Sequence, residues 1–260
     1  MNIQETLIKA TKLLIESGTK SPYLDSEILL SQTINQNRKY VILNSQKKLN
    51  DKYLNNFYSL VDRRKKGEPI AYLIKKKYFW NESFYVNKNV LIPRSDTEIL
   101  IEETLKLFNK NSTQNVLDIG TGSGCILLSI LKERSKFLGI GIDISKKAVN
   151  VARFNAKVHQ LSNRVKFYNS DVDKFLIGKY DLIISNPPYI ENYKLKYLDR
   201  EITAYEPRIA LDGGLDGCSK VKKVIYKASS LLKKNGKLIL EIGFNQKKVI
   251  LNILKKKSFY

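Results

Sequence analysis

The feature that most constrains the fold is a strand, loop and helix pattern around residue 120. The strand pattern at 115–119 leads into the glycine-rich loop at 120–124, and an apolar run follows at 125–128. Glycines let the backbone turn tightly and approach a ligand, and a helix that begins there presents free N–H groups. Strand and helix patterns alternate from here onward, which predicts a parallel sheet with helices on both faces.

Acidic residues follow the next two strand patterns. The run at 137–142 ends on Asp143, and the segment 168–170 precedes Asp171. An acid at the end of a second strand can accept both hydroxyls of a ribose, so we expect a nucleoside here. Asp171 could contact an adenine amino group or serve only as a helix N-cap. The glycine spacing is not G-x-G-x-x-G and no P-loop Lys follows, which favours S-adenosylmethionine over a pyrophosphate cofactor.

A fourth strand pattern, at 182–184, leads to Asn186-Pro187-Pro188-Tyr189. Asn186 offers a side-chain carbonyl and Pro187 a backbone carbonyl, while Pro188 stiffens the turn. A planar NH2 group could donate one hydrogen to each carbonyl, with its face against the Tyr189 ring. This arrangement favours methyl transfer to an amide or amine nitrogen, although a plain proline turn is the simpler interpretation.

Bulk composition constrains partners less than the motifs do. The 46 Lys and Arg residues against 25 Asp and Glu give a net charge of +21, and the lysines spread over every segment. This distribution favours a solvated surface over a nucleic-acid stripe, although a basic face would suit an acidic or ribosome-associated partner. Two distant cysteines indicate neither a disulfide framework nor a zinc site, and no apolar run is long enough for a membrane span. The single His159 is predicted to lie on a helix surface.

The periodicity predicts three regions. Residues 1–75 read as a small helical domain, in which Asn2 and Glu5 form a capping box. Residues 76–96 read as a β-hairpin linker with its turn at Asn81-Glu82, and residues 97–260 form the sheet domain. A second capping box is predicted from Ser95 to Glu98. The long segment 190–217 is predicted to be a lid or substrate wall.

Five segments together resemble a known family. They are residues 67–73, 92–98, 118–124, 185–190 and 206–211, and the likeness runs over nearly the whole chain. The chain resembles the protein-(glutamine-N5) methyltransferases of peptide-chain release factors, the HemK or PrmC family. The resemblance implies a Rossmann-like, class I S-adenosylmethionine-dependent methyltransferase sheet with an N-terminal helical domain that docks the substrate.

The resemblance also implies a substrate, a compartment and a set of site residues. The substrate would be the glutamine of the Gly-Gly-Gln motif in class 1 release factors, methylated by a cytoplasmic monomer that needs no metal. The residues expected to hold the substrate are Asn186, Pro187, Pro188 and Tyr189. The residues expected to bind S-adenosylmethionine are Gly120, Thr121, Gly122, Ser123, Gly124, Asp143, Asp171, Val172 and Asn186. Because a fold of this type closes with an antiparallel hairpin, we expect the end at 258–260 to leave a shortened hairpin and an open sheet edge.

Two other functions suit parts of the same pattern. An N6-adenine methyltransferase acting on DNA or RNA would use the same acceptor pair, and the chain is basic, but no separate target-recognition domain is visible. A non-catalytic binding protein could retain the fold without turnover. The intact glycine loop, Asp143 and Asn186 argue against that third interpretation.

Overall fold

A computed structural model describes residues 1–257 of the chain. The chain divides into two compact units, which are described separately below. The first comprises Met1–Lys75 and Asp199–Tyr205, and the second comprises Lys76–Leu198 and the chain from Glu206 onward. No helix among the described residues is long and apolar enough to cross a membrane.

The first unit is helical, and asparagine side chains cap three of its helices. The Asn2 side chain accepts from the Glu5 N–H at 2.8 Å, and the Glu5 carboxylate accepts from the Asn2 N–H at 3.0 Å, which confirms the predicted capping box. Asn50 similarly accepts from the Tyr53 N–H. The helices are α1 (Ile3–Glu16), α2 (Pro22–Thr33), α3 (Arg38–Leu43), α4 (Asp51–Lys65), α5 (Ile70–Leu73) and α9 (Arg200–Tyr205).

Apolar residues and one buried arginine hold this unit together. Leu14, Leu30 and Phe57 are among its fully buried core residues. Arg64 is 5% exposed, and its guanidinium donates to Asp25 at 2.7 Å and to Glu201 at 2.7 Å. Because Glu201 lies on α9, this arginine ties the returning segment of chain into the helical unit.

The second unit begins with the predicted β-hairpin. Strands β1 (Lys76–Phe79) and β2 (Glu82–Tyr85) pair antiparallel, with Phe79 opposite Glu82. The turn therefore lies at Trp80-Asn81, one residue earlier than expected, and Trp80 takes a positive φ of 54° there. The capping box predicted from Ser95 to Glu98 is wrong: these residues form a 3-10 helix without a side-chain cap, and Glu98 instead accepts from the Trp80 N–H.

A five-stranded parallel sheet forms the centre of the second unit. Its strands lie in the order β5-β4-β3-β6-β7, and every neighbouring pair is parallel. The order reverses between β3 and β6, which is the position where open α/β sheets bind ligands. The strands are β3 (Asn115–Ile119), β4 (Leu138–Asp143), β5 (Val165–Asn169), β6 (Tyr180–Ser185) and β7 (Leu232–Leu240).

Helices cover both faces of this sheet, which confirms the predicted α/β architecture. Alternate side chains of β3 enter opposite cores: Val116 packs with the residues of one cluster and Leu117 with those of the other. The first cluster holds α6 (Ile99–Leu107), α7 (Cys125–Glu133) and α8 (Lys146–Val158). The second holds α10 (Ser219–Leu231), which also packs with α11 (Lys247–Lys256).

Two further expectations concern the sheet edge and the histidine. Among the described residues β7 pairs with β6 alone, and a register shift accompanies Asn235 at a φ of 67°. The hairpin remnant expected at 258–260 lies outside the described residues. The prediction for His159 is wrong, because its side chain is only 5% exposed and its ring centroid lies 4.7 Å from that of Phe84. The position of His159 at the end of a helix pattern gave no sign that Phe84 of the hairpin packs against its side chain.

Candidate active site

The predicted site residues collect where neighbouring strands end at one level. Ile119 at the end of β3 pairs with Ile142 on β4 and with Ser185 on β6, so Gly120, Asp143 and Asn186 leave the sheet side by side. A cleft with about 1250 Å³ of empty space, including its open mouth, lies there. Its lining includes Gly120, Thr121, Gly122, Ser123, Asp143, Asp171, Val172, Asn186, Pro187 and Pro188.

The glycine loop adopts a conformation that side chains disfavour. Gly120, Gly122 and Gly124 have φ angles of 76°, 55° and 80°. The N–H groups of Gly120 and Thr121 both donate to the Ile142 carbonyl at 2.9 Å, which fastens the loop to β4. Gly124 lies outside the lining, and its role is packing: a Cβ there would lie 3.3 Å from the Ala152 Cβ of α8.

Asp143 is anchored by backbone groups at the cleft. One carboxylate oxygen accepts from the Gly122 N–H at 2.9 Å, and the other accepts from the Ser145 N–H at 2.8 Å. Burial raises the pKa of Asp143, and these two hydrogen bonds oppose the rise. Each oxygen retains a second lone pair, so the carboxylate can still accept from a ligand hydroxyl.

Asp118 is a buried acid beside this site, and it is not among the site residues predicted from the sequence. It is fully buried at 0% exposure, and its Oδ2 accepts from the Thr121 hydroxyl at 2.7 Å. Its Oδ1 is buried without a hydrogen-bond partner. Burial raises the pKa of Asp118 to about 7, the Thr121 hydrogen bond opposes this, and the charge of Asp143 adds to it. The acid within an otherwise apolar strand was the available signal.

Asp171 takes one of the two roles left open by the sequence, that of an N-cap, and its ligand contact stays a prediction. Its side chain accepts from the Asp173 N–H at 2.8 Å and so caps the short 3-10 helix Val172–Lys174. It also lines the cleft, together with Val172. The cap fixes the orientation of the carboxylate, which is compatible with a ligand contact through its remaining lone pairs.

Thr97, which is also not among the predicted site residues, orients Asn186. The Asn186 Nδ2 donates to the Thr97 hydroxyl at 3.1 Å, and Thr97 is 3% exposed. Because the amide nitrogen is engaged in this way, the Asn186 carbonyl oxygen is the atom left to accept from a ligand. Pro187 is buried and follows directly, at the cleft.

Tyr189 does not line the cleft. Its hydroxyl donates to the Glu241 carboxylate at 3.2 Å, and its ring packs against the cluster formed by α10 and α11. Burial, and then the charge of Glu241, raises the pKa of Tyr189 to about 12. The other Glu241 oxygen is buried without a partner. The sequence shows no signal for this pairing, because Glu241 follows a different strand.

One wall of the cleft comes from the predicted lid segment. Pro207, Ile209 and Ala210 line it, as the lid prediction requires. Glu206 anchors this wall: its buried carboxylate accepts from the Ile92 N–H at 3.0 Å and pairs with the Arg94 guanidinium. Within residues 1–257, no group of three or more His, Cys, Asp or Glu side chains could hold a metal ion.

Comparison with known proteins gives this geometry a family. Residues 110–260 match the model of a methyltransferase domain, and residues 5–74 match that of the PrmC N-terminal domain. The chain is 36% identical to a release factor glutamine methyltransferase of Clostridium acetobutylicum, over 100% of this chain and 92% of that protein. The chain belongs to the release factor glutamine methyltransferase family. This confirms the resemblance inferred from the sequence motifs.

Two further relatives show how far the likeness extends. A release factor glutamine methyltransferase of Caulobacter vibrioides is 35% identical over 94% of this chain and 86% of that protein. A bifunctional methyltransferase of Rickettsia conorii is 35% identical over 97% of this chain, which spans 53% of that longer protein. Membership of the release factor glutamine methyltransferase family makes the chain an enzyme that requires a methyl donor.

Proposed function

We propose that this protein transfers a methyl group from S-adenosylmethionine to the side-chain amide nitrogen, N5, of the Gly-Gly-Gln glutamine in class 1 release factors. The relatives named for release factor glutamine methylation support the substrate. The observation that carries the chemistry is the Thr97-held amide of Asn186 beside Pro187. We place the reaction in the cytoplasm, catalysed by a monomer that supports translation termination.

The residues of the cleft fit S-adenosylmethionine. Asp143 and Asp171 provide acceptors for hydroxyl and amino groups, and Val172 provides an apolar surface for a base. A Cβ at Gly120 would meet no atom within 4 Å, so the backbone leaves open space for a ligand.

When bound, S-adenosylmethionine supplies an electrophilic methyl group, whose bond to sulfur breaks as the bond to the amide nitrogen forms, and the nitrogen then gives up one proton to solvent. The protein's own residues prepare the glutamine for this event. Asn186 Oδ1 and the Pro187 carbonyl would each accept one hydrogen of the substrate NH2 group. This pair of hydrogen bonds fixes the amide plane and the direction of its lone pair.

The two acceptors also act on the barrier itself. An amide nitrogen is a weak nucleophile because its lone pair is delocalised into the carbonyl. As the nitrogen becomes tetrahedral, positive charge develops on its hydrogens, and acceptors aimed at those hydrogens stabilise the transition state more than the ground state. The buried Thr97 hydroxyl contributes by holding Asn186 in the accepting orientation.

The proposal extends to the helical unit, Met1–Lys75. We assign it the docking of the release factor, in keeping with the match of residues 5–74 to the PrmC N-terminal domain. Segment Asp199–Tyr205 belongs to the same compact unit, while the wall at Pro207 and Ile209 lines the cleft. The segment 199–209 therefore contributes both to the helical unit and to the lining of the cleft.

Mass spectrometry tests the proposal. Unmodified release factor is incubated with the protein and S-adenosylmethionine, and an adenine-containing oligonucleotide serves as a parallel substrate. We expect one methyl group on the glutamine of the Gly-Gly-Gln peptide. Methyl on adenine would instead establish an N6-adenine methyltransferase. Cofactor binding without transfer to either substrate would indicate a non-catalytic binding protein.

The variant Asn186→Ala makes the test specific. Loss of one preorganised hydrogen-bonding group typically costs about 10²- to 10³-fold in turnover, and we expect a loss of this size. Cofactor affinity, measured by calorimetry, should change little. Asn192→Ala is a matched control, because the Asn192 side chain binds Asp212 at the surface. Full turnover by Asn186→Ala would refute the role of Asn186 as an acceptor for the substrate NH2 group.

A further inference from the structure

Asn155 lies outside the cleft lining but connects two of the segments that form it. This residue of α8 is 0% exposed. Its Oδ1 accepts from the Tyr85 N–H at 2.8 Å, and its Nδ2 donates to the Tyr85 carbonyl at 3.0 Å and to the Ser123 carbonyl at 2.8 Å. Only one orientation of the amide satisfies all three partners, since a flipped amide would set its NH2 against the Tyr85 N–H.

One of these partners belongs to the glycine loop. Ser123 is 3% exposed and lines the cleft, so its carbonyl is withdrawn from bulk water. The next residue, Gly124, has a φ of 80° and packs against Ala152, one turn before Asn155 on α8. A donor from α8 at this point fixes the end of the loop where its backbone turns into α7.

The other partner is the last residue of β2. From Tyr85 the chain runs through buried Val86 to Asn89, Val90 and Leu91, all three of which line the cleft. The Asn155 amide accepts from the Tyr85 N–H and donates to the Tyr85 carbonyl, as the backbone of a neighbouring strand would. These two bonds fix the position at which the lining segment begins. The same side chain therefore holds two walls of one cleft.

We propose that Asn155 is a positioning residue for cofactor binding: it holds the glycine loop and the segment after β2 at the separation that S-adenosylmethionine requires. The inference rests on the proposed function for the identity of the ligand. It assigns Asn155 no contact with the reacting atoms. Its effect should therefore fall on cofactor affinity and leave turnover at saturating cofactor near that of the wild type.

Two substitutions separate the two connections. Asn155→Asp keeps an acceptor for the Tyr85 N–H but has at most one donor, the proton of its neutral form, so it cannot serve the Tyr85 and Ser123 carbonyls together. Asn155→Ala loses every bond. Val149→Ala is the matched control, because Val149 is a fully buried apolar residue of the same helix and takes no part in the bridge. Thermal unfolding of each variant shows the temperature range in which all are folded.

The measurements are calorimetric titration with S-adenosylmethionine and hydrogen exchange of the free protein. We expect both Asn155 variants to bind the cofactor at least about tenfold more weakly, as the loss of buried hydrogen bonds predicts. Exchange of the Tyr85 amide should accelerate in Asn155→Ala and remain slow in Asn155→Asp. The KM for the cofactor should rise with its Kd, while kcat at saturation is retained.

The opposite results would overturn the inference. Equal cofactor affinity in the wild type and both Asn155 variants would show that the bridge does not set the cleft. So would weakening of the same size in Val149→Ala, because general destabilisation would then suffice. If the wild type binds the cofactor but leaves the glutamine unmethylated, the proposed function fails, while the binding series still supports the role of Asn155.

Discussion

The helical unit and the cleft treat a buried carboxylate in opposite ways. In the helical unit, Asp25 is 4% exposed and faces the Arg64 guanidinium at 2.7 Å. In the second unit, Asp118 is fully buried beside the glycine loop, with one oxygen on Thr121 and the other without a partner. A charge buried for structure is paired, whereas the half-paired acid lies one residue before the end of β3, where burial raises its pKa.

The first prediction concerns the buried ion pair between Asp25 and Arg64. Arg64→Met leaves Asp25 buried without its cation, and removing one partner of a buried pair costs about 3–5 kcal/mol in the free energy of unfolding. Far-UV circular dichroism during urea unfolding measures this loss. Fluorescence of Trp80, the chain's one tryptophan, reports on the second unit and should show its transition unchanged.

The neighbouring arginine is the control for this substitution. Arg63 pairs with Glu68 at the surface, where its side chain is 48% exposed. Arg63→Met should cost less than about 1 kcal/mol, the usual size for an exposed pair. Equal costs at the two positions would contradict the structural role given to the buried cluster.

The second prediction tests the half-paired acid through pH. Burial raises the pKa of Asp118 from 3.8 to about 7, so between these values the folded protein holds a proton that the unfolded chain has lost. Stability therefore falls as pH rises from about 4 to about 7, and the loss from this group is about 2–4 kcal/mol. Asp118→Asn does not titrate and removes that part of the decline.

Urea unfolding at a series of pH values measures the difference between Asp118→Asn and the wild type. We expect the variant to gain relative stability as pH rises towards 7, with no further change above it. A stability difference that is the same at pH 4.5 and pH 7.5 would contradict the buried, protonated acid.

The third and smallest effect concerns the orientation of Asn186. Thr97→Val removes the hydroxyl that receives the Asn186 NH2 group, so the amide can rotate out of its accepting orientation. We expect kcat to fall about tenfold, the equivalent of one lost hydrogen bond of about 1–1.5 kcal/mol, with cofactor affinity retained. Thr97→Ser keeps the hydroxyl and should restore most of the rate. If Thr97→Val keeps the wild-type rate and Thr97→Ser is slow, methyl packing rather than hydrogen bonding explains the role of Thr97.

Local chemistry explains which parts of the site the sequence could predict. Gly120 and Asn186 stand directly after strands and Asp143 ends one. Parallel strands end on one edge of the sheet, so the convergence of these residues follows from order along the chain. Asp171 was identified with both of its roles open, because capping and ligand binding use the same carboxylate. The capping box at Asn2 was predictable because both of its bonds span three residues.

The errors have the opposite origin. The Ser95 to Glu98 capping box failed because Glu98 binds Trp80, which lies on the hairpin rather than in the next turn. His159 was expected at the surface because its cover comes from Phe84 on that same hairpin. Tyr189 lies outside the cleft lining because Glu241, at the end of another strand, binds its hydroxyl, and its contact with the substrate stays a prediction. In each case a partner distant in sequence decided the outcome.

The sequence by itself determined the parallel sheet, the helical N-terminal region, the family and the strand ends at which ligands collect. These features depend on short-range periodicity, on glycine backbone freedom and on the fixed direction of parallel strands. Only the tertiary structure decided that Thr97 orients Asn186, that Asp118 keeps an unpaired oxygen and that Asn155 joins two walls of the cleft. These are contacts between segments far apart in the chain, and they form only once packing has excluded water and made each buried polar group require a partner.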